Sequence, residues 1–409
     1  MMTLPPFAAW AGPRNPRLVL VAEAWGQDEA AIQAPLVGAS GQELMRMLSE
    51  ITPTIEPDLL YEVLREMRSQ RWLAHRARWL DKAGISMTNV FALRPPDNDL
   101  TYLLQSTRET KLDRDYPALP PVKPGAYLKR EFFPELVRLH SELSTARPKI
   151  VVALGATAAW ALTGSGAISA SRGTLTSGGH PESPIGILAR EGRPRDPHAD
   201  LNPPGSISVL PTWHPAYVLR QWSARPVAIS DLTKAWSLAT SNASTRRPNR
   251  QVLASPTLLE LADWVSSTLA TGATIACDTE TARGQITCVS FARSPFDAIC
   301  VPFRNKTATA SFWQNLDDEL QAWNLIASLL ESPTNPKVFQ NGMYDLQFFV
   351  RMGIYPRNCR DDPMLLHHAL YPELNKGLGF LGSIYTSEPA WKLMRRQRAA
   401  DAKSAKKDA

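Results

Sequence analysis

KIVVALGATAAWAL, residues 149–162, is the stretch that decides the fold class. Lys149–Leu154 is a short apolar strand, the chain passes through Gly155, and Ala156–Leu162 continues as a helix. A strand that turns at a glycine into a helix is the unit from which α/β sheets are built. The same pattern recurs upstream. Arg17–Val21 (RLVLV) ends at Ala22-Glu23-Ala24-Trp25-Gly26, and Ile85–Val90 (ISMTNV) follows two helically spaced stretches, Gly41–Glu50 and Leu59–Trp79. A Pro-rich loop runs from Pro95 to Pro124 and leads to a helix, Glu131–Leu143. Downstream, a loop crowded with Gly and Pro (Ser177–Ser206) leads to strand Ile207–Leu210 and the turn Pro211–Pro215. This alternation predicts a mostly parallel α/β sheet over residues 1–240.

Ser241–Arg250 (SNASTRRPNR) lacks large apolar residues and marks a linker, residues 241–251. The pattern then restarts with helix Thr257–Leu269 and three successive β-runs, Thr274–Cys277, Ile286–Ala292 and Ala298–Phe303. Helix Leu316–Leu330, strand Lys337–Phe339 and helix Asp345–Met352 follow. Consecutive β-runs joined by short turns predict a mixed sheet for residues 252–392, with 393–409 as a tail.

The total of 409 residues fits two or three domains at roughly 100–200 residues each. No stretch approaches the ~18–20 apolar residues of a membrane helix, and the N-terminus lacks a basic start followed by an apolar core. Cys277, Cys288, Cys300 and Cys359 show no CxxC spacing, which argues against a disulfide scaffold and against a cysteine-built zinc or iron–sulfur site. The expected setting is cytoplasmic, without membrane partners. Of the net charge of +6, five units lie between Lys392 and Ala409, where seven bases meet two acids. The basic character therefore belongs to a terminal arm, suited to loose phosphate binding or to plain solvation.

In open α/β sheets, ligands bind beyond the carboxyl ends of the strands. Three such ends carry Glu23, Asn89 and His214, a set suited to reading a flat polar heterocycle and activating water. The stretches AEAWGQDEAAIQAPLVGASGQEL, MTNVFALRPP, PKIVVALGATAAWAL, SRGTL and VLPTWHPAYVLR, in this order, resemble the uracil-DNA glycosylase superfamily over roughly residues 15–238. That resemblance implies cleavage of the glycosidic bond of an extruded base. Glu23 would position or activate water, Asn89 would discriminate pyrimidine edges, and His214 would donate to the departing base anion. Arg172 and Arg220 would contact phosphate, as would Gly155-Ala156-Thr157 at a helix start. The first motif departs from the family's GEAPG pattern at Ala22 and Trp25. Leu36 stands where an aromatic ring would stack on the base, an interaction worth about 1–3 kcal/mol. The branch most resembled carries four cysteines for an iron–sulfur cluster; this domain has none, so no cluster is expected.

IACDTET, residues 275–281, places Asp278 and Glu280 on one face of a strand, with Cys277 and Thr279 on the other. Two adjacent carboxylates repel unless a cation lies between them, so the pair suggests a divalent-metal site. In KVFQNGMYDLQFFVRMGI, Asn341 and Asp345 flank the turn into a helix, with Asp345 near the helix start. The DxE…NxxxD layout is similar to that of the DEDD (DnaQ-like) 3′–5′ exonucleases, and DDPMLLHHALYPELNKGLGFLGSIYTSEPAWK resembles the proofreading domain of phage and bacterial family A DNA polymerases. The resemblance spans about residues 252–392 and implies a mixed-sheet, ribonuclease H-like exonuclease fold. Together the two likenesses give an α/β protein of two domains, the first with a parallel-sheet α/β/α glycosylase-like fold.

The exonuclease likeness implies two Mg²⁺ or Mn²⁺ ions about 3.5–4 Å apart. Asp278 would bridge both, Glu280 would hold the nucleophile-side ion, Asp345 would reach the second through water, and Asn341 would contact DNA. Asp362, followed by Pro363, reads as a helix N-cap, and His367 and His368 as packing or surface residues. The family's closing YxxxD motif is absent: either a partner such as a polymerase chain supplies the helix that carries it, or the reading frame is truncated, or the domain binds DNA without cutting it. Two function classes follow. One is a replication or repair enzyme acting on a single-stranded 3′ end or an extruded base, in a host cytoplasm if phage-encoded. The other is a binding module, with both domains worn catalytic folds in a split family A polymerase.

Overall fold

The computed structural model describes residues 5–67, 69, 71–179, 183–189, 207–241, 249–305 and 309–388. Most of the expected linker (242–248), part of the 177–206 loop and the whole basic tail lie outside these residues. The chain divides into two compact units, one of Met1–Thr245 with Gly382–Ala409, the other Arg246–Leu381. No helix among the described residues is long and apolar enough to cross a membrane.

The first unit is built on five strands: β1 (Leu18–Ala24), β2 (Ile85–Phe91), β3 (Ile150–Leu154), β4 (Thr176–Gly178) and β5 (Ile207–Thr212). Their order is β2-β1-β3-β5-β4, and only β4 runs antiparallel to its neighbour. Alternation along β1 sends Leu18, Leu20 and Ala22 to one core cluster and Val19 and Val21 to another, so both faces are covered. The first cluster is completed by α2 (Ala39–Ile51), α3 (Pro57–Arg65), α4 (Trp72–Ala83) and α8 (Arg225–Thr240). On the other face lie α5 (Phe133–Ala146) and α6 (Ala156–Thr163). Two short helices, α1 (Gln27–Ile32) and α7 (Pro215–Arg220), follow β1 and β5.

Two local expectations are corrected. The stretch expected as one helix from Leu59 to Trp79 is two, α3 and α4. One straight rod of that length would span about 30 Å, whereas folding back lets Leu60, Val63, Trp79 and Leu80 share one core. The Pro-rich loop also contains a short strand pair, Leu104–Ser106 with Ala126–Leu128. A helical turn, Thr107–Leu112, is set there by the Ser106/Glu109 capping box.

The second unit has a six-stranded mixed sheet: β6 (Gln251–Ala254), β7 (Ile275–Ala282), β8 (Gln285–Ser294), β9 (Asp297–Pro302), β10 (Lys337–Phe339) and β11 (Cys359–Asp361). The order is β11-β10-β7-β8-β9-β6, with β7/β8 and β8/β9 antiparallel. Arg283 and Gly284, both at positive φ, make the two-residue turn of the β7–β8 hairpin. This hairpin extends β7 beyond the predicted Cys277 end and brings both acids of the DxE pair into the ladder. One face of the sheet packs on α9 (Leu258–Thr271), α10 (Leu316–Glu331) and α11 (Met343–Arg351). A further helix, α12, spans Pro363–Leu370.

Candidate functional site

In the first unit the chain leaves β1 toward β2 on one side, and later β3 adds on the other. The crevice beyond the carboxyl ends of β1 and β3 is therefore a topological switch point. Glu23 stands there at the end of β1, half-buried, and its Oε2 accepts the Thr157 hydroxyl from the first turn of α6. His214 ends the segment after β5 and caps α7; its Nδ1 accepts the Ala216 N–H at 3.1 Å. Burial pushes the His214 pKa down, Glu23 opposes this and Arg220 reinforces it, so both charged groups lie within electrostatic reach of the imidazole. A neutral ring whose Nδ1 accepts carries its proton on Nε2. Gly155, at φ +90°, is pressed against this ring: a Cβ there would lie 3.1 Å from His214 Cβ.

Asn89 lies opposite Ala22 in β2 and is 2% exposed. Its Oδ1 is buried without a hydrogen-bond partner. A buried acceptor left unmade costs about 1–3 kcal/mol. The loop after α1 is tied from within. Glu29 accepts the N–H groups of Gly26 (3.1 Å), Val37 (3.0 Å) and Gly38 (3.0 Å), while the buried Arg76 donates to the carbonyls of Pro35 and Leu36. Leu36 takes a left-handed φ of 54°, and Gly41 is obligatory because a Cβ would lie 1.7 Å from the Leu36 carbonyl oxygen. The Leu36 side chain is in the core, 2% exposed. Trp25 is also buried, against Ala9 and Ala92, with its Nε1 unpartnered.

In the second unit, β7 alternates as expected: Ile275, Cys277 and Thr279 are buried, Ala276, Asp278 and Glu280 exposed. Across the hairpin, Asp278 pairs with Ser290 and Glu280 with Cys288. The parallel ladder with β10 stops at Phe339↔Cys277, which leaves the Thr279 N–H without a strand partner. Asp345, from the first turn of α11, fills that place. Its Oδ1 accepts the Thr279 N–H at 2.9 Å and the Thr279 hydroxyl at 2.6 Å. Burial pushes the Asp345 carboxyl pKa up, the Thr279 bonds pull it back, and nearby Asp362 adds to the rise. Beside it, the hydroxyls of Tyr344 and Thr281 are 2.5 Å apart. Asp362 is the N-cap of α12, as read from the sequence, and it also accepts the N–H groups of Asn341 (3.1 Å) and Gly342 (2.9 Å). Asn341 itself is exposed at φ +60°. His367 is buried against Tyr371 and Phe380, and His368 is exposed.

Asp278 and Glu280 thus flank Thr279 on the exposed face of β7, while Asp345 bonds Thr279 itself. Among the described residues, however, ligand atoms of three such side chains converge within 4.8 Å only at Glu62, Glu66 and His75. The oxygens of the three acids are set more widely apart, with one Asp345 oxygen turned to Thr279. As a donor set, three carboxylates suit hard divalent cations.

Residues 9–238, more than half of the chain, match the profile of the uracil DNA glycosylase superfamily. The chain belongs to that superfamily. Residues 255–403 match a 3′–5′ exonuclease profile, so the glycosylase-superfamily domain is joined to an exonuclease domain. No curated protein matches significantly. Among solved structures, the POL domain of Pol1 from M. smegmatis is 19% identical over 31% of this chain and 20% of its own, with a TM-score of 0.24. Escherichia coli RNase D is 19% identical over 32% of each chain (TM-score 0.23). The EXD2 exonuclease domain is 15% identical over 32% of this chain and 68% of its own (TM-score 0.22). The chain therefore spans a fifth to a third of the length of the first two.

Within the glycosylase-superfamily domain, the expectation for Arg172 is corrected. Its guanidinium is 2% exposed and held by both oxygens of Asp231, at 2.9 and 2.5 Å, under the Trp213 ring. Asp231 also accepts the Thr212 hydroxyl at 2.7 Å, so the pair braces the end of β5 two residues before His214. Buried in this pair, the Arg172 guanidinium is not presented to solvent, whereas Arg220 is exposed. A second brace went unnoticed in the sequence. Arg138 joins Glu135 (3.0 Å) and Glu142 (2.7 Å) and donates to the carbonyls of Asn89 (2.7 Å) and Val90 (3.1 Å). The signal was present: three charges at i, i+3 and i+7 on the apolar face of α5.

Proposed function

We propose that this chain processes DNA with two sites, a metal-dependent 3′–5′ exonuclease and a base-releasing glycosylase. Its role as a nucleic-acid-processing protein follows from its two domains. The observation that carries the nuclease reading is the trio on β7 and α11: Asp278 and Glu280 on the open face, with Asp345 anchored on Thr279 between them. A bound Mg²⁺ or Mn²⁺ supplies Lewis acidity toward the phosphodiester. Asp278, Glu280 and Asp345 would hold such an ion, and Thr279 holds the Asp345 carboxylate through two hydrogen bonds. Tyr344 and Asn341 border the site and contact the strand end. The test is shortening of 5′-labelled single-stranded DNA with either metal. Wild type yields a ladder and Asp278→Ala does not; an intact strand with the wild type refutes the reading.

In the glycosylase site, the unpartnered Oδ1 of Asn89 accepts from the N3–H of a flipped uracil-type base. The C1′–N1 bond breaks with its electron pair going to the base, and the Nε2–H of His214 donates to the oxygen on which that charge settles. Glu23 orients the water that adds to C1′. A second reading, DNA holding without turnover, is favoured by Leu36, whose side chain is in the core and offers no stacking face. Release of free uracil from single-stranded uracil-DNA, lost in His214→Ala, separates the two readings.

A further inference from the structure

Among residues that neither proposed site uses, α3 and α4 bring together a further donor set. Glu62 and Glu66 are one helical turn apart, so their carboxylates leave the same face, and His75 comes from the first turn of α4. One ligand atom from each of the three lies within 4.8 Å of the others, and all three residues are half-buried. His75 Nδ1 and Glu66 Oε2 are 3.1 Å apart, yet both atoms are shut off from solvent and neither makes a hydrogen bond. Two such atoms, an ion pair only when the imidazole carries a second proton and otherwise without a hydrogen bond, are arranged as two ligands of one ion. Metal–ligand bonds of about 2.0–2.2 Å put neighbouring donors roughly 3.3 Å apart in a tetrahedral site. A positive group already attends the cluster: Arg65, more than half exposed, reaches Glu62 at 2.5 Å and Glu66 at 3.4 Å.

We propose that Glu62, Glu66 and His75 form a binding site for a first-row transition-metal dication of the zinc class, with Arg65 standing in for the ion in its absence. A mixed imidazole–carboxylate set favours such ions over Mg²⁺ and Ca²⁺, which prefer oxygen alone. The site staples α3 to α4. His75 adjoins Arg76, whose guanidinium holds the Pro35 and Leu36 carbonyls, so the staple also steadies the loop beside the glycosylase crevice. The proposal is independent of the nuclease acids.

The test is titration of the full chain with Co²⁺ in excess Mg²⁺, which fills carboxylate-only sites. The expected result is one equivalent bound with visible d–d bands and no thiolate charge-transfer band. Both His75→Ala and Glu66→Gln weaken binding by at least about ten-fold, the scale on which even outer partners of metal ligands act. Asp278→Ala leaves the bands in place. Because a misfolded variant also loses metal, Arg65→Met is decisive: removal of the competing cation tightens binding. No d–d bands, bands unchanged in His75→Ala, bands lost in Asp278→Ala, or weaker binding by Arg65→Met would each overturn the site.

Discussion

Asp231→Ala isolates the part played by the buried brace behind His214. The substitution removes both oxygens that hold Arg172 and the acceptor of the Thr212 hydroxyl. Arg172 and Asp231 are 2% and 0% exposed, so water cannot replace the lost partner, and a guanidinium is left buried and uncompensated. Breaking a buried pair from one side costs about 3–5 kcal/mol, whereas replacing both partners by apolar groups is far milder. Urea unfolding followed by hydrogen exchange of β1 and β3 reads this domain alone. It is expected to show that loss for Asp231→Ala and recovery of most of it in Arg172→Met/Asp231→Ala. DNA affinity measured against salt supplies the complementary arm. Arg172→Met leaves the salt slope unchanged, while Arg220→Met lowers it by about one. A single-variant loss below about 1 kcal/mol, or a double variant no better than the single, would show that the pair does not brace the end of β5.

The remaining predictions concern single positions in the two sites. The folded-state pKa of His214 lies below the ordinary 6.5, so the unfolded chain binds more protons in that window. Stability therefore falls as pH drops below about 6.5, and His214→Gln flattens that limb of a thermal-unfolding pH profile. Asn89→Leu removes an unpartnered buried acceptor, so it is expected to hold or raise the melting temperature while abolishing base release in a uracil-DNA assay. Thr279→Val deletes the 2.6 Å hydroxyl bond to Asp345 but no carboxylate. It is expected to cost about 1 kcal/mol and to slow 3′-end shortening, measured under single-turnover conditions.

Much of the site was legible because it is local. Strand alternation fixes which side chains share a face, so Asp278 and Glu280 could be paired from IACDTET alone, and Asp362 before Pro363 announced its own helix cap. Strand ends likewise gave Glu23, Asn89 and His214. What could not be read was partnership over distance. Arg172 looked like a phosphate contact because its acceptor, Asp231, lies 59 residues later on another helix. Arg138 supports Asn89 from 49 residues away, and His75 meets Glu62 and Glu66 only because the predicted single helix folds back on itself. Periodicity tells which face a residue occupies and is silent on what that face meets.

Exonuclease activity in this chain depends on the acids beside Thr279. Crystals soaked in Mn²⁺ and examined by anomalous scattering test it directly. Manganese coordinated by Asp278 and Glu280, with Asp345 facing it, is the expected result. Manganese bound elsewhere on the chain, with those carboxylates bare at saturating metal, would contradict it.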